Sequence, residues 1–208
     1  MRFDRGNVRW PRAVRTLLAL VLSSLTAACS SGFAATPLED GASGASRALL
    51  RSITQGSPTI QTGFYYIQNL ARLNFLDGHQ QCATENGCKV QLWSRNLGAI
   101  QKWNVTPGTE PNTFTIVNTY GNLCLDGNLN GQGHQGTRVQ LWQCNGREIQ
   151  DWFILPYGTS GEYVIVNYLY NRPCLDGTLP GGIGSPVQLW KCLPSSDGIQ
   201  VWNMILTS

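Results

Sequence analysis

An aspartate and a tryptophan recur together three times along the chain. The pairs are Asp77 with Trp93, Asp126 with Trp142, and Asp176 with Trp190. A carboxylate accepts strong, charge-assisted hydrogen bonds, and an indole offers a flat apolar face with one polar N–H. If the fold brings the two groups of a pair together, each pair could bind a ligand with hydroxyl groups on one side and C–H groups on the other.

The pairs belong to a longer repeat. Each copy contains an Asp-Gly turn, a Val-Gln-Leu-Trp segment and an Ile-Gln-x-Trp segment. Asp77 and Asp126 are 49 residues apart, and Asp126 and Asp176 are 50 apart. A constant period in this range indicates a repeat architecture. Three units of about 50 residues predict one domain over residues 59–208, which is long enough to bury a single core.

Short strands are predicted throughout this region. Phe114–Asn118 and Tyr163–Asn167 are rich in β-branched and aromatic residues, and Tyr65–Asn69 is their counterpart in the first unit. Turns rich in glycine and asparagine separate the strands, as at residues 127–136. The sequence therefore predicts an all-β fold.

Alternation along the Val-Gln-Leu-Trp strands sorts their side chains. Valine and leucine must face the core, so the glutamine and tryptophan of each copy face the other way. The same reasoning directs Leu76, Leu125 and Leu175 inward and leaves the aspartate of each turn outside. We therefore expect each unit to present Asp, Gln and Trp on one surface. The residues are Asp77, Gln91 and Trp93; Asp126, Gln140 and Trp142; and Asp176, Gln188 and Trp190.

The Ile-Gln-x-Trp tryptophans have a different expected role. Trp103, Trp152 and Trp202 begin strands that continue into apolar residues, which predicts core positions. The glutamines before them are expected to bond to backbone. These glutamines are Gln101, Gln150 and Gln200.

The repeat also predicts the disulfides. Cys124 and Cys144 in the second unit have counterparts in the third unit at Cys174 and Cys192. The first unit lacks both members, because Phe75 and Arg95 stand at those positions, as expected for a bonded pair. Apart from Cys29 near the N-terminus, this leaves only Cys82 and Cys88, which are expected to pair. Three disulfides imply an oxidising compartment. A structural zinc site is the rival interpretation, but its clustered thiolate and histidine ligands are missing.

These motifs resemble the ricin B-type lectin family over about residues 60–207. The resemblance implies a β-trefoil with pseudo-threefold symmetry. In that family the aspartate of the first turn bonds to sugar hydroxyls, and the aromatic residue of the Gln-Leu-Trp strand stacks on the sugar. The resemblance thus assigns carbohydrate binding to the three aspartates and tryptophans of the opening pairs, with galactose-type glycans of glycoproteins, glycolipids or polysaccharides as ligands.

One position departs from the family pattern. Asn usually precedes the Gln-x-Trp motif and also bonds to the sugar, whereas this chain has Ile100, Ile149 and Ile199. Nearby amides such as Asn96 and Asn145 could substitute. The first two units match the family more closely than the third, whose loop from Thr178 to Pro186 is shorter. The alternative without a ligand is that Asp-Gly only forms a turn and the tryptophan is a surface residue.

Catalysis is not predicted. The only histidines, His79 and His134, follow the aspartates of units one and two in loops, where solvated side chains are common. The chain offers no nucleophile–base set. Its carboxylates occur once per repeat and are expected to lie too far apart to flank one glycosidic bond. We therefore expect no enzyme activity, no cofactor and no metal.

The N-terminus resembles a bacterial lipoprotein signal peptide at residues 1–28. Five arginines precede a 12-residue apolar run, Leu17–Ala28, which is too short to span a bilayer. Small residues then precede Cys29, the predicted lipidation site, although Leu25 lies one position early for the usual pattern. Ordinary cleavage and secretion is the alternative. Residues 29–58 are rich in Ser, Gly and Ala and predict a flexible tether. We expect an outer-membrane or cell-surface lipoprotein that contacts membrane only through its lipid.

Removing the leader changes the charge. Residues 1–28 contain five of the 15 basic residues and one of the 12 acidic residues, which leaves a net charge of about −1. No basic stripe for nucleic acid remains.

A second resemblance gives an alternative function. The order of lipidation motif, polar tether and ricin-like trefoil is similar to the cytolethal distending toxin A subunit. It implies receptor binding and toxin partner subunits.

Lipidation of Cys29 is directly testable. Because a thioether at Cys29 is required for acylation, Cys29→Ala should move the protein from the membrane fraction to the soluble fraction. Fractionation with immunoblotting measures this. A Ser30→Ala variant is the matched control and should remain membrane-bound, whereas unchanged partitioning of Cys29→Ala would contradict an anchor.

Overall fold

The computed structural model describes most of the repeat region. The described residues are 60–131, 133–158, 161–169, 171–178, 181–193 and 198–207. The predicted leader, Cys29 and the tether lie outside them. Among the described residues, no helix has the length and hydropathy that a membrane span needs.

The described part of the chain is built from short strands. In chain order the strands are β1 (Gly63–Asn69), β2 (Phe75–Asp77), β3 (Cys88–Lys89), β4 (Gln91–Trp93), β5 (Lys102–Pro107), β6 (Phe114–Asn118), β7 (Leu123–Asp126), β8 (Thr137–Arg138), β9 (Gln140–Trp142), β10 (Trp152–Tyr157), β11 (Glu162–Asn167), β12 (Cys174–Asp176), β13 (Gln188–Trp190) and β14 (Trp202–Leu206). Single 3₁₀ turns lie at Ala99–Gln101, Leu129–Gly131 and Glu148–Gln150. The predicted all-β class is confirmed.

Six strands close into a barrel. β1 pairs with β5, β5 with β6, β6 with β10, β10 with β11, β11 with β14, and β14 with β1, all antiparallel. Each repeat contributes two of these strands. A closed barrel leaves no exposed sheet edge in this layer.

Three hairpins extend from the barrel, one from each repeat. They are β2–β4, β7–β9 and β12–β13. A barrel of six strands with three such hairpins is the β-trefoil, so the predicted fold and its three repeats are confirmed.

The pseudo-threefold axis passes between three buried valines. The Val90 N–H donates to Val139 O at 3.2 Å, Val139 N–H to Val187 O at 3.0 Å, and Val187 N–H to Val90 O at 2.9 Å. Each side chain is fully buried. The valine of every Val-Gln-Leu-Trp segment therefore joins the three repeats into a ring, as well as filling the core.

A second ring of contacts uses the asparagine at the end of each repeat's first strand. Asn118 Nδ2 donates to Ile100 O at 2.8 Å, Asn167 Nδ2 to Ile149 O at 2.9 Å, and Asn69 Nδ2 to Ile199 O at 2.8 Å. Each bond crosses from one repeat to the preceding one, and the last closes the circle. All three asparagines are fully buried.

The core confirms the predicted role of the second set of tryptophans. Trp103, Trp152 and Trp202 have no exposed surface. Each indole N–H is satisfied by a backbone carbonyl, that of Leu76, Leu125 or Leu175 respectively. A buried indole requires such a partner, so the tryptophan binds the barrel to the hairpin of its own repeat.

The three disulfides in the structure have the pairing that the repeats predict. They are Cys82–Cys88, Cys124–Cys144 and Cys174–Cys192. Disulfides at this density are typical of exported proteins.

The asparagine ring predicts a stability effect. Asn118→Ala should lower the free energy of unfolding by about 2–3 kcal/mol, because it removes a buried bond to Ile100 O and leaves the Tyr120 N–H without its partner Asn118 Oδ1. Denaturant unfolding measures this. The control is Asn104→Ala on β5, where the side chain makes no hydrogen bond within the described residues. A decrease in unfolding free energy below about 0.5 kcal/mol for Asn118→Ala would contradict a stabilising role for these asparagine contacts between repeats.

Candidate functional site

The aspartate of each repeat is the centre of a hydrogen-bond network. In the second repeat, Asp126 Oδ1 accepts from the Asn128 N–H at 2.8 Å and from Gln140 Nε2 at 3.0 Å. Its Oδ2 accepts from Gln150 Nε2 at 3.0 Å. The carboxylate therefore joins the hairpin turn, β9 and the Ile-Gln-x-Trp segment.

The same network occurs in the other repeats. Asp77 accepts from the His79 N–H, Gln91 Nε2 and Gln101 Nε2 at 3.0–3.2 Å. Asp176 accepts from the Thr178 N–H, Gln188 Nε2 and Gln200 Nε2 at 2.8–3.1 Å. Three copies with the same donors indicate that this geometry is built into the repeat.

The expected exposure of these aspartates, and that of Gln91, which is only 4% exposed, is wrong. Asp77, Asp126 and Asp176 are only 3%, 4% and 6% exposed. Strand alternation directs each side chain away from the main core, as predicted. However, the two glutamines and the turn cover it. The carboxylate can be buried because three donors replace most of its lost hydration.

The glutamines of the Ile-Gln-x-Trp motif do more than bond to backbone. Gln150 Nε2 also donates to Gln143 O at 3.0 Å, and its Oε1 accepts from the Asn145 N–H at 3.0 Å. The predicted backbone bonds are therefore present, but the bond to Asp126 was not anticipated. The constant spacing of 24 residues between the aspartate and this glutamine in all three repeats was the available signal.

The tryptophans of the Gln-Leu-Trp strands are on the surface, as predicted. Trp93, Trp142 and Trp190 are 40%, 37% and 38% exposed. Each indole edge lies beside a glycine of another repeat: Gly184 for Trp93, Gly87 for Trp142 and Gly136 for Trp190. These glycines have φ between 82° and 86°, a conformation that favours glycine. The surface around each tryptophan is thus shared by two repeats.

In the second repeat, Asp126 and Trp142 line one cleft of about 200 Å³. Gln140, Asn128, Asn130, Asn145 and Arg147 supply further polar groups to it. A carboxylate has about four lone-pair positions. Asp126 accepts two bonds on Oδ1 and one on Oδ2, so one lone-pair position on Oδ2 has no partner among the described residues. The structure thus brings together the carboxylate and indole that the sequence singled out.

Ile149 also lines this cleft, at the position where the family pattern has asparagine. Its side chain is 5% exposed. Its carbonyl accepts from the Gly127 N–H at 3.1 Å and from Asn167 Nδ2. The backbone of this position therefore serves the fold, while the side chain replaces a polar contact with an apolar one.

The third repeat keeps its network but has a shorter loop. Thr178 Oγ1 donates to Pro186 O at 2.6 Å, which closes the shortened loop next to Asp176. Parts of the surrounding loops, residues 179–180 and 194–197, lie outside the described residues. This loop is consistent with the poorer match of the third unit to the family pattern.

Among the described residues, one cluster of potential metal ligands bears on the prediction that the protein has no metal site. His79, Cys82 and Cys88 have potential ligand atoms within 4.8 Å of one another. Both thiols are consumed by their mutual disulfide, so they are not thiolate ligands. His134 lines a different cleft together with Lys191, and Asp126 does not line that cleft.

Comparison with known proteins agrees with the geometry. The family model for the ricin-type β-trefoil lectin domain-like family matches residues 52–142 and 99–190, two matches displaced by about one repeat. The chain belongs to this family. Membership of a lectin-domain family supports a non-enzymatic binding module for carbohydrate.

Solved structures share the fold. A designed threefold-symmetric protein, ThreeFoil, has a TM-score of 0.63 and 21% identity over 70% of this chain and 99% of its own. The ricin B-like lectin of Macrolepiota procera, solved with lactose, has a TM-score of 0.59 and 18% identity over 72% and 99%. An exo-β-1,3-galactanase from Clostridium thermocellum has a TM-score of 0.63 and 20% identity over 72% and 31%.

At these sequence identities, the similar structures show the shared fold only. The ligand specificity must be inferred from the site residues of this chain. No curated protein sequence matches this chain significantly.

The aspartate network predicts that its carboxylate stabilises the fold even without ligand. Asp126→Asn should lower the unfolding free energy by about 2–3 kcal/mol, because the new amide N–H₂ would face a donor. Gln150 cannot rotate its amide to compensate, since both ends are already bonded to backbone. Denaturant unfolding at neutral pH measures this, with exposed Glu85→Gln as control. Equal stability of Asp126→Asn and the parent would refute the network's structural role.

Proposed function

We propose that this protein is a carbohydrate-binding lectin module for galactose-type glycans, with its best site in the second repeat. One observation carries the proposal. Asp126, which retains an open lone-pair position, and the exposed indole of Trp142 line the same cleft. The ligand chemistry follows from these two groups.

A pyranose ring has the complementary properties. Its C–H face packs on an indole, and adjacent hydroxyls donate to a carboxylate. Asp126 is rigidly held by three donors, so little ordering would accompany binding. Galactose carries an axial hydroxyl that leaves one face largely apolar, which suits a tryptophan next to a carboxylate.

Gln140 and the surrounding amides complete the proposed site. Gln140 Nε2 is bonded to Asp126, so its amide oxygen is the group that can accept from a sugar hydroxyl. Asn128, Asn145 and Arg147 offer further polar contacts in the cleft. They replace the contact that Ile149 does not supply, which would be worth about 0.5–1.5 kcal/mol.

The other repeats contribute weaker sites in this proposal. The first uses Asp77, Gln91 and Trp93, and the third uses Asp176, Gln188 and Trp190. Sites that are weak singly gain affinity when several engage one multivalent surface. A lipid at Cys29 and the tether of residues 29–58 would display the module on the cell surface, where glycoproteins, glycolipids and polysaccharides are accessible.

A second candidate function is receptor binding within a toxin assembly. Its supporting observation is the isoleucine at all three positions where the lectin pattern has asparagine, because a protein ligand would not need that polar contact. A mosquitocidal holotoxin includes a region of the same fold, with a TM-score of 0.61 and 22% identity over 72% of this chain and 18% of the toxin. Neighbouring genes for a DNase-I-like protein and a second trefoil would favour this candidate.

Removal of two of the three exposed indoles should eliminate most of the glycan binding. We expect the purified protein to bind galactosides on a glycan array, and Trp93→Ala with Trp142→Ala to lose most of the signal, because the stacking surface is gone. Phe64→Ala is the control, since Phe64 is a similarly exposed aromatic, 44%, on β1. Thermal unfolding confirms that each variant is folded. No binding by the parent at millimolar galactoside would sink the lectin proposal.

A further inference from the structure

The Ile-Gln-x-Trp segment of the second repeat contains a buried acidic residue that is not part of the proposed sugar site. Asp151 is 1% exposed, and the equivalent positions are Lys102 and Val201. Asp151 Oδ1 accepts from the Thr109 N–H at 3.0 Å, and its Oδ2 accepts from the Glu110 N–H at 3.1 Å and from Thr109 Oγ1. This carboxylate therefore clamps the β5–β6 turn against the second repeat.

The clamp is built to close tolerance. A side chain at Gly108 would collide with Asp151 and Thr113. Thr113 Oγ1 donates to Glu110 O at 2.6 Å and fixes the other side of the turn. The position of Glu110 is consequently determined by the fold.

Glu110 forms one wall of a groove of about 530 Å³. The groove is also lined by Leu129, Arg147, Glu148, Ile149 and Leu169. Leu129, Arg147 and Ile149 also line the cleft of Asp126 and Trp142. The second-repeat groove thus continues the proposed sugar site and has the size of a small-ligand pocket.

We infer that the second-repeat groove binds the next sugar residue of an oligosaccharide whose galactose occupies the Asp126–Trp142 cleft. The inference rests on the proposed lectin function. Leu129, Ile149 and Leu169 provide an apolar surface for a second pyranose, and Glu110 and Glu148 provide acceptors for its hydroxyls. Two carboxylates against the single guanidinium of Arg147 favour a neutral sugar over one bearing a carboxylate.

The groove distinguishes the second repeat from the first. The positions equivalent to Leu129, Arg147 and Glu148 in the first repeat are Gln80, Gly98 and Ala99. The first repeat therefore lacks both the exposed leucine and the charged rim. Of the first and second repeats, only the second therefore has the groove proposed to bind a second sugar residue.

The test isolates the second site in the full chain with Trp93→Ala and Trp190→Ala. Isothermal titration calorimetry compares methyl β-galactoside with lactose, and lactitol with lactobionate, a pair that differs mainly by the anionic group. We expect lactose to bind about tenfold more tightly than the monosaccharide, and lactitol more tightly than lactobionate.

Variants separate the groove from the primary site. Glu110→Gln with Glu148→Gln should remove the preference for lactitol while methyl β-galactoside affinity stays within twofold. The matched control Glu162→Gln, on β11, should change neither. If the chain with Trp93→Ala and Trp190→Ala bound lactose and methyl β-galactoside with equal affinity, the groove inference would be overturned and the lectin proposal would remain intact. Failure to bind any galactoside would overturn both.

Discussion

The carboxylate of one aspartate per repeat organises the surrounding structure. Asp126 is attached to three separate segments: its own turn, β9 and the residues that enter β10. If the acid were replaced by an apolar residue, these segments would lose their common acceptor. The Asn128 N–H and the Gln140 amide would lose their bonds, and Gln150 Nε2 would keep only its bond to Gln143 O. The acid therefore determines where the adjacent tryptophan, Trp142, stands.

Each such unit is incomplete by itself, because its remaining polar groups are satisfied by a neighbouring repeat. The Ile149 carbonyl is bonded by Asn167 of the third repeat, and the edge of Trp142 lies beside Gly87 of the first. The valine ring joins all three at the axis. Because these contacts are cyclic, the three repeats form one closed structure, and each surface tryptophan is surrounded by two of them.

The fold could be predicted well from the sequence because each position of the repeat occurs three times, and its three residues could be compared. The core tryptophans and the exposed indoles follow from residue type and alternation, and the disulfides follow from comparison of equivalent positions in the repeats. Burial of Asp77, Asp126 and Asp176 could not be obtained in this way, since alternation gives the direction of a side chain and says nothing of what covers it. β10 shows the same limit: Phe153 and Leu155 are buried in a second apolar cluster, separate from the main core, and Arg172 stacks on Phe153.

The isoleucine and the aspartate of each repeat differ in how strictly the fold constrains their side chains. At Ile149 the carbonyl accepts hydrogen bonds from Gly127 and Asn167, which the backbone of any residue type could accept, and the residue also lines the cleft. Isoleucine can therefore replace asparagine in all three repeats at no cost to the trefoil. The aspartate has no such freedom, because the oxygens that would bind sugar also hold the turn and both glutamines. The recurrence of the Asp–Gln pair in all three repeats is therefore explained by folding. Evidence for a ligand must come from groups that the fold does not require, such as the exposed face of Trp142.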